Sequence, residues 1–170
     1  NDGNGVFTKI TNQSCVTDKG TSHGCSFADI DNDGDLDLYV SNDTGVKFLY
    51  LNNGNGTFTR KDDELPSFDF GNAKGHAWSD FDHDGDLDLF VATTNNELNG
   101  FYTNNGNTNS WIEITLQAKV SNGSAIGAKV FVKANNIWQM REVNAQSGFG
   151  GQSSLTQHFG LGNEIGRASC

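Results

Sequence analysis

The sequence predicts an all-β protein, and three observations support that fold class. A pattern containing Asp29 recurs 51 residues later at Asp80, short runs of alternating apolar and polar residues follow each copy, and Asn-Gly pairs separate these runs. The 170 residues include 21 Gly and one Pro, a composition typical of short strands joined by tight turns. We therefore expect two propeller-blade-like repeats with Asp-rich hairpin loops, followed by a small C-terminal β domain.

The internal repeat is clearest around the two Asp-rich segments. Residues 27–40 align without a gap with residues 78–91, and residues 4–8 align at the same offset with residues 55–59. Each copy reads as a strand, an Asp-rich loop, a second strand and a further strand before an Asn-Gly turn. A unit of this length, with about four short strands, has the size of a propeller blade.

The alignment also predicts the domain organisation. Residues 1–8 match the end of a repeat, so we expect them to be part of a preceding blade, and complete repeats are predicted at about 9–59 and 60–108. Together, residues 1–108 form the repeat region. The remaining residues, 109–170, are predicted to be a separate small β domain.

The C-terminal region differs from the repeats in its pattern. Residues 111–116, 128–132 and 138–143 each alternate between apolar and polar side chains. This periodicity predicts strands. No Asp-rich loop occurs between them.

Both Asp-rich segments spell Asp-x-Asp-x-Asp-Gly-x-x-Asp, and we call residues 29–37 loop 1 and residues 80–88 loop 2. Alternate Asp residues in a tight loop direct their carboxylates to one centre, and the hard cation Ca²⁺ takes roughly six to eight oxygens. We predict about two Ca²⁺ ions per chain, with Asp35 and Asp86 each offering a backbone carbonyl. The predicted side-chain ligands are Asp29, Asp31, Asp33 and Asp37 in loop 1 and Asp80, Asp82, Asp84 and Asp88 in loop 2.

Other interpretations of the loops are less consistent with the sequence. An EF-hand would place a bidentate Glu at position 12 between helices, but Val40 and Val91 stand there in apolar strands. Magnesium prefers fewer carboxylates and retains its waters. A merely solvated acidic turn is the remaining alternative, and two copies in register argue against it.

The net charge of −10 lies in the loops. Without the ten loop Asp residues, 11 acidic side chains balance 11 Lys plus Arg. Five carboxylates in one short loop repel each other unless a cation neutralises them. No basic patch stands out, so we do not expect nucleic acid as a partner. No apolar run approaches the roughly 20 residues of a membrane span.

Two further patterns are typical of secreted proteins. Cys15 and Cys25 are close enough in sequence to close a disulfide, although two free thiols remain an alternative. Sequons for N-glycosylation occur in predicted loops. They begin at Asn12, Asn42, Asn55 and Asn122.

The loops resemble those of the FG-GAP and VCBS families, which bind calcium at the edges of propeller blades, and the resemblance covers residues 1–107. The C-terminal region resembles the ASPIC/UnbV domain, and the combination is similar to that of secreted proteins like cartilage acidic protein. The matching C-terminal motifs are Ala-Ile-Gly-Ala-Lys-Val at 125–130, Gln-Met-Arg-Glu-Val at 139–143, Ser-Gly-Phe at 147–149 and His-Phe-Gly-Leu-Gly at 158–162. Residues 164–170 depart from the family pattern, and we expect them not to be native.

The resemblance implies an extracellular or cell-surface protein, stabilised by calcium, with an adhesive or structural role. We expect its partners to be other extracellular proteins, other copies of the chain, or glycans. Sugar stacking is not favoured for the tryptophans, because Trp78 is predicted in the blade core and Trp111 and Trp138 in the core of the C-terminal domain.

Two other functions remain open on the sequence alone. A filament or surface-layer subunit would use exposed strand edges to join its neighbours. An enzyme would need a paired nucleophile and base, and neither such a pair nor a zinc-type spacing of the histidines is evident. We therefore expect no catalytic activity.

Overall fold

The protein is nearly all β, as predicted. A computed structural model describes residues 4–62, 66–67, 71–120 and 122–163. The segment expected not to be native, 164–170, lies outside the described residues. The elements are α1 (Ser14–Thr17), β1 (Ser22–Ala28), β2 (Asp37–Asn42), β3 (Phe48–Asn52), β4 (Phe58–Lys61), β5 (Ala73–Ser79), β6 (Asp88–Thr93), β7 (Gly100–Tyr102), β8 (Ser110–Ile114), β9 (Lys129–Ala134), β10 (Ile137–Glu142) and β11 (Gln157–Gly162).

The first repeat forms a four-stranded antiparallel sheet, which we call blade 1. Its strand order is β1-β2-β3-β4. Loop 1 joins β1 to β2, and the Asn-Gly turn joins β3 to β4, where Gly54 and Gly56 have φ of 70° and 80°. Because Gly adopts positive φ without strain, the Asn-Gly sequence favours this hairpin.

The second repeat forms blade 2, with the strand order β5-β6-β7. Its register copies that of blade 1, since Phe90 pairs with Phe101 as Tyr39 pairs with Leu49. Within the described part of the chain, β7 is an edge strand with no fourth strand beside it.

The blades pack face to face around one apolar core. Tyr39 and Leu49 of blade 1 meet Trp78, Leu89 and Val91 of blade 2, and all five side chains are buried. Trp78 therefore lies in the blade core, as the sequence predicts.

The C-terminal region forms two two-stranded antiparallel sheets, β8 with β11 and β9 with β10, around a second core. Strands occur at all three places where alternation predicts them. Part of the region lies directly on the blades, because Ser154 N donates to Trp78 O (3.0 Å) and Gly162 N donates to Asn32 O (2.9 Å). This packing brings the C-terminal region to the Asp-rich loops.

The Cys15–Cys25 disulfide is not formed, and both residues are free thiols, the alternative that the sequence left open. Cys15 lies in α1, which packs on β4, whereas Cys25 lies in β1 at the opposite edge of the same sheet. Three strand spacings of about 4.8 Å separate these edges, far more than the roughly 7 Å limit between bridged Cα atoms.

Three side chains differ from their predicted environment. Asn42 lies in β2 rather than a loop and is fully buried, with Nδ2 donating to Val46 O (2.6 Å), so the folded chain does not present this sequon. Trp111 and Trp138 are 39% and 59% exposed rather than in the core of the C-terminal domain. The sequons at Asn12, Asn55 and Asn122 are exposed, as glycosylation requires.

Candidate metal centres

Each Asp-rich loop gathers three carboxylates around one point. In each loop, one oxygen from each of the three side chains lies within 4.8 Å of the others. Such a set suits a hard divalent cation, which bridges oxygens that otherwise repel each other. The two clusters are Asp29, Asp31 and Asp37 in loop 1 and Asp80, Asp82 and Asp88 in loop 2.

The last Asp of each loop fixes the geometry through backbone amides. Asp37 accepts from Ile30 N (2.9 Å) through Oδ2 and from Asn52 N (2.8 Å) through Oδ1. Asp88 makes the same two contacts, from Phe81 N (2.8 Å) and from Asn104 N (2.9 Å). Through these bonds, the last Asp joins the start of its loop to the residue at or just after the end of the next strand, β3 or β7. The four bonds therefore fix the conformation of both loops.

The turn itself depends on two residues with positive φ in each loop. Gly34 and Gly85 have φ of 98° and 92°, which Gly adopts without strain. Asn32 and His83, two positions earlier, have φ of 58° and 63°. The Gly at position 6 therefore has the role that the motif predicts.

The other predicted ligands are not part of the three-carboxylate clusters. Asp33 accepts from Asp35 N (2.8 Å) and Asp84 accepts from Asp86 N (3.0 Å), and both acceptors are exposed. A direct contact of Asp33 or Asp84 with the ion stays a prediction, as do the carbonyl contacts of Asp35 and Asp86.

The burial of the carboxylates of loop 1 fits a bound cation in two ways. Asp29 Oδ1 and Asp31 Oδ1 are buried and have no hydrogen-bond partner, which is costly for a carboxylate oxygen unless a cation meets it. Burial also raises the pKa of Asp29 to about 7 and that of Asp37 to about 8, because the ionised form is disfavoured away from water. A bound cation would restore the ionised form.

Loop 1 is also contacted by the C-terminal region, which sequence reasoning did not predict. Gly160 N donates to Asp29 Oδ2 (2.9 Å), and Arg141 Nη2 lies 4.0 Å from the same oxygen. His158 Nε2 lies 2.6 Å from Asn32 Oδ1. Two of these residues belong to the His-Phe-Gly-Leu-Gly motif, but nothing in the sequence indicates that this motif meets an Asp loop.

Blade 2 holds loop 1 from the other side. Asn104 Nδ2 donates to Ile30 O (2.8 Å) and Asn109 Nδ2 donates to Asp31 O (2.8 Å). Asn32 Nδ2 donates to Asp86 Oδ1 (2.8 Å), which joins the two loops directly. The repeated Asn residues after β7 therefore anchor the neighbouring loop.

Loop 2 has more open surroundings. Asp82 is exposed, and Asp80 is held by its own loop through Asp84 N (3.2 Å) and Gly85 N (3.0 Å). Gly85 lies against the Trp111 ring so closely that a Cβ at this position would overlap it.

No other cluster of three potential ligands occurs among the described residues. His83 is exposed at a position of loop 2 that is not a predicted ligand. His76 Nε2 bonds Ser26 Oγ (2.7 Å) in the buried interface between the blades, and its Nδ1 has no partner.

Comparison with known families supports this description of the fold. A model of the FG-GAP-like repeat matches residues 1–40 and 33–91, and a model named ASPIC and UnbV matches residues 118–169. No curated protein matches the chain. FG-GAP repeats are typical of extracellular proteins. The one helix of the described residues has four residues, too few to cross a membrane. The chain therefore belongs to the FG-GAP-like repeat family and carries an ASPIC and UnbV domain.

Proposed function

We propose that the chain is an extracellular interaction module in which Ca²⁺ makes the Asp-rich loops rigid. The observation that carries this proposal is the pair of matched three-carboxylate clusters, with two buried oxygens in loop 1 that lack any partner. Each ion would offset part of the negative charge of its loop and lock the hairpin between two strands. Binding to the folded state alone would stabilise the fold by mass action.

The proposed role does not include catalysis. The buried Ser26–His76 pair resembles a nucleophile with its base, but Trp78 Nε1 also donates to Ser26 Oγ (2.8 Å) and no acid orients the imidazole. Because the pair lies inside the interface between the blades, its geometry supports packing rather than chemistry on a substrate.

A calcium titration of the chelated protein tests the proposal. We expect Trp fluorescence and calorimetry to saturate near two ions per chain, with a rise in melting temperature. The variants Asp31→Asn and Asp82→Asn should each remove one ion. Asp62→Asn is the matched control, since it removes the same charge from an exposed side chain that pairs with Arg60. Absence of binding, or binding without any change in stability, would contradict the proposal.

A second candidate function is an extracellular assembly of copies of this chain. The observation that favours it is the exposure of apolar side chains on the outer face of each blade. Binding partners of the interaction module would then include the chain itself, in addition to other extracellular proteins or glycans.

A further inference from the structure

The two oxygens of the Asp29 carboxylate have different surroundings. Oδ2 accepts a hydrogen bond from Gly160 N (2.9 Å) of the C-terminal region, whereas Oδ1 is buried and has no hydrogen-bond partner. The side chain belongs to the three-carboxylate cluster of loop 1 and is 1% exposed. Asp29 therefore has one oxygen bound to the C-terminal region and another left for a cation.

The strand that contains Gly160, β11, also contacts the turn of loop 1. Gly162 N donates to Asn32 O (2.9 Å), and His158 Nε2 lies 2.6 Å from Asn32 Oδ1. Asn32 is 1% exposed and has φ of 58°, so its backbone and side chain are placed by the turn. The contacts of β11 therefore depend on the conformation of loop 1.

Gly160 can approach loop 1 so closely because it has no side chain. A Cβ at this position would overlap the backbone of Asn32 and the carboxylate of Asp29. Gly160 O in turn accepts a hydrogen bond from Gln139 Nε2 (2.7 Å) of β10. The strand that contacts loop 1 is thereby joined to the other sheet of the C-terminal region.

The first Asp of loop 2 is bonded within its own loop instead. Asp80 accepts hydrogen bonds from Asp84 N (3.2 Å) and Gly85 N (3.0 Å). The C-terminal region reaches loop 2 through the ring of Trp111, which lies against Gly85. Among the described residues, a hydrogen bond therefore joins the C-terminal region to a cluster carboxylate in loop 1 and not in loop 2.

We propose that calcium binding in loop 1 strengthens the docking of the C-terminal region on the blades, and that loop 2 does not share this role. Without a cation, the carboxylates of loop 1 repel each other and disfavour the conformation that β11 contacts. With a cation, the Asp29 carboxylate and the turn at Asn32 are held where Gly160 and Gly162 meet them. The inference deepens, and rests on, the calcium role proposed above.

Thermodynamic linkage makes this coupling reciprocal. If calcium strengthens the contact between loop 1 and β11, that contact raises the affinity of loop 1 for calcium by the same factor. The proposal can therefore be measured from either side, at the amides of β11 or at the calcium site.

Hydrogen exchange of backbone amides in the full chain, followed by NMR, tests the first side. Gly160 N and Gly162 N donate to loop 1, whereas Val143 N donates to Ala128 O (2.9 Å) inside the C-terminal region and reports on the folding of that region. Saturating calcium should slow exchange at Gly160 and Gly162 about tenfold or more relative to Val143. Equal slowing at all three amides would overturn the proposal, because calcium would then stabilise the whole chain alike.

Two matched variants assign the effect to one loop. Asp31→Asn removes a cluster charge from loop 1 and should abolish the slowing at Gly160. Asp82→Asn makes the same change in loop 2 and should retain that slowing. An equal loss in the two variants would contradict the assignment to loop 1.

Calorimetric titration in the Asp82→Asn background tests the second side. Gly160→Ala should weaken calcium binding to loop 1 about tenfold. Gly123→Ala is the matched control and should keep the affinity, since no heavy atom lies within 4 Å of a Cβ at that position. Unchanged affinity in Gly160→Ala, with the Val143 amide still protected, would refute the coupling. If Gly160→Ala does not fold, the exchange measurement on wild type decides.

Failure of this inference differs from failure of the calcium role. If wild type binds no calcium in calorimetry, both are wrong. If wild type binds calcium without slower exchange at Gly160, the calcium role stands and the coupling alone is wrong.

Discussion

Loops 1 and 2 have nearly the same sequence and the same internal geometry, but they lie in different surroundings. In both, the last Asp accepts two backbone amides and the sixth residue is a Gly with positive φ. Loop 1 is enclosed by blade 2 and the C-terminal region, and its Asp29 is 1% exposed. Loop 2 leaves Asp82 exposed.

The comparison separates what the repeat determines from what its neighbours determine. The local motif places three carboxylates together in both loops, because the hairpin hydrogen bonds lie within one repeat. The charge environment differs, because Arg141 comes close to loop 1 from outside the repeat. We therefore expect the loops to behave alike when an internal bond is removed and differently when a contact from outside is removed.

The largest effect should come from removing the last Asp of either loop. Asp37→Asn and Asp88→Asn each weaken a buried backbone contact and remove a charged ligand. We expect each to lower the unfolding free energy in saturating calcium by about 3 kcal/mol, with the two losses nearly equal. Denaturant unfolding with and without calcium measures this difference.

Asp62→Asn is the control for charge alone and should leave the unfolding free energy unchanged within about 0.5 kcal/mol. If only one of the two loop variants lowered stability in calcium, the equivalence of the loops would be wrong. A loss of the same size in chelator would show that the Asp acts through its hydrogen bonds and not through calcium.

A second prediction compares equivalent positions in the two blades. His76 is 5% exposed, whereas its counterpart Cys25 is exposed. Burial lowers the pKa of His76 to about 4, below its ordinary 6.5. As the pH falls, His76 is protonated at a higher pH in the unfolded chain than in the folded chain. The stability present above about pH 6.5 is therefore lost as the pH falls toward 4. The loss from this one group should be about 2.5 kcal/mol by pH 4.5.

Urea unfolding of wild type and His76→Gln between pH 7 and 4.5 measures this loss. Gln can still bond Ser26 but does not titrate, so its stability should fall less steeply with acid. Identical slopes for wild type and His76→Gln would exclude His76 as the source of the loss.

Sequence reasoning predicted those features whose causes lie within one repeat. The repeated position of the Asp-rich motif and the alternation around Leu38 were sufficient to predict the two blades and the carboxylate clusters of loop 1 and loop 2. The contacts between Gly160 and Asp29 and between Asn104 and Ile30 join segments 131 and 74 residues apart. No local pattern encodes such pairs, because they arise only when the C-terminal region folds onto the blades.

The sequence also mispredicts the burial of some side chains, because burial depends on which distant segments pack against them. Trp138 has the residue type and alternation of a core strand, but its sheet has two strands and leaves that face open. Asn42 begins a glycosylation sequon, a motif that is usually exposed in a loop. Here it is the last residue of β2, is fully buried, and donates to Val46 O. Cys25 is close to Cys15 in sequence, yet the order of strands places them at opposite edges of four-stranded blade 1.

The smallest predicted effect concerns the charge that distinguishes the loops. Arg141 Nη2 lies 4.0 Å from Asp29 Oδ2 and is mostly shielded from solvent. A positive charge at this distance would oppose a cation in loop 1. The Arg141 guanidinium lies 5.0 Å from the centre of the Phe159 ring. Arg141→Met keeps an apolar side chain over Phe159 and removes the charge, so loop 1 should bind calcium about fivefold more tightly, or by about 1 kcal/mol.

Calorimetric titration in the Asp82→Asn background isolates loop 1 for this measurement. Arg141→Lys should retain the wild-type affinity, because it keeps the charge, and Lys129→Gln should do the same, because Lys129 pairs with Glu142 on the neighbouring strand. The same variants in the Asp31→Asn background should leave the affinity of loop 2 unchanged. If Arg141→Met instead weakened binding to loop 1, Arg141 would hold Asp29 in position rather than compete with the ion. The difference between the loops would then lie in their support and not in their charge.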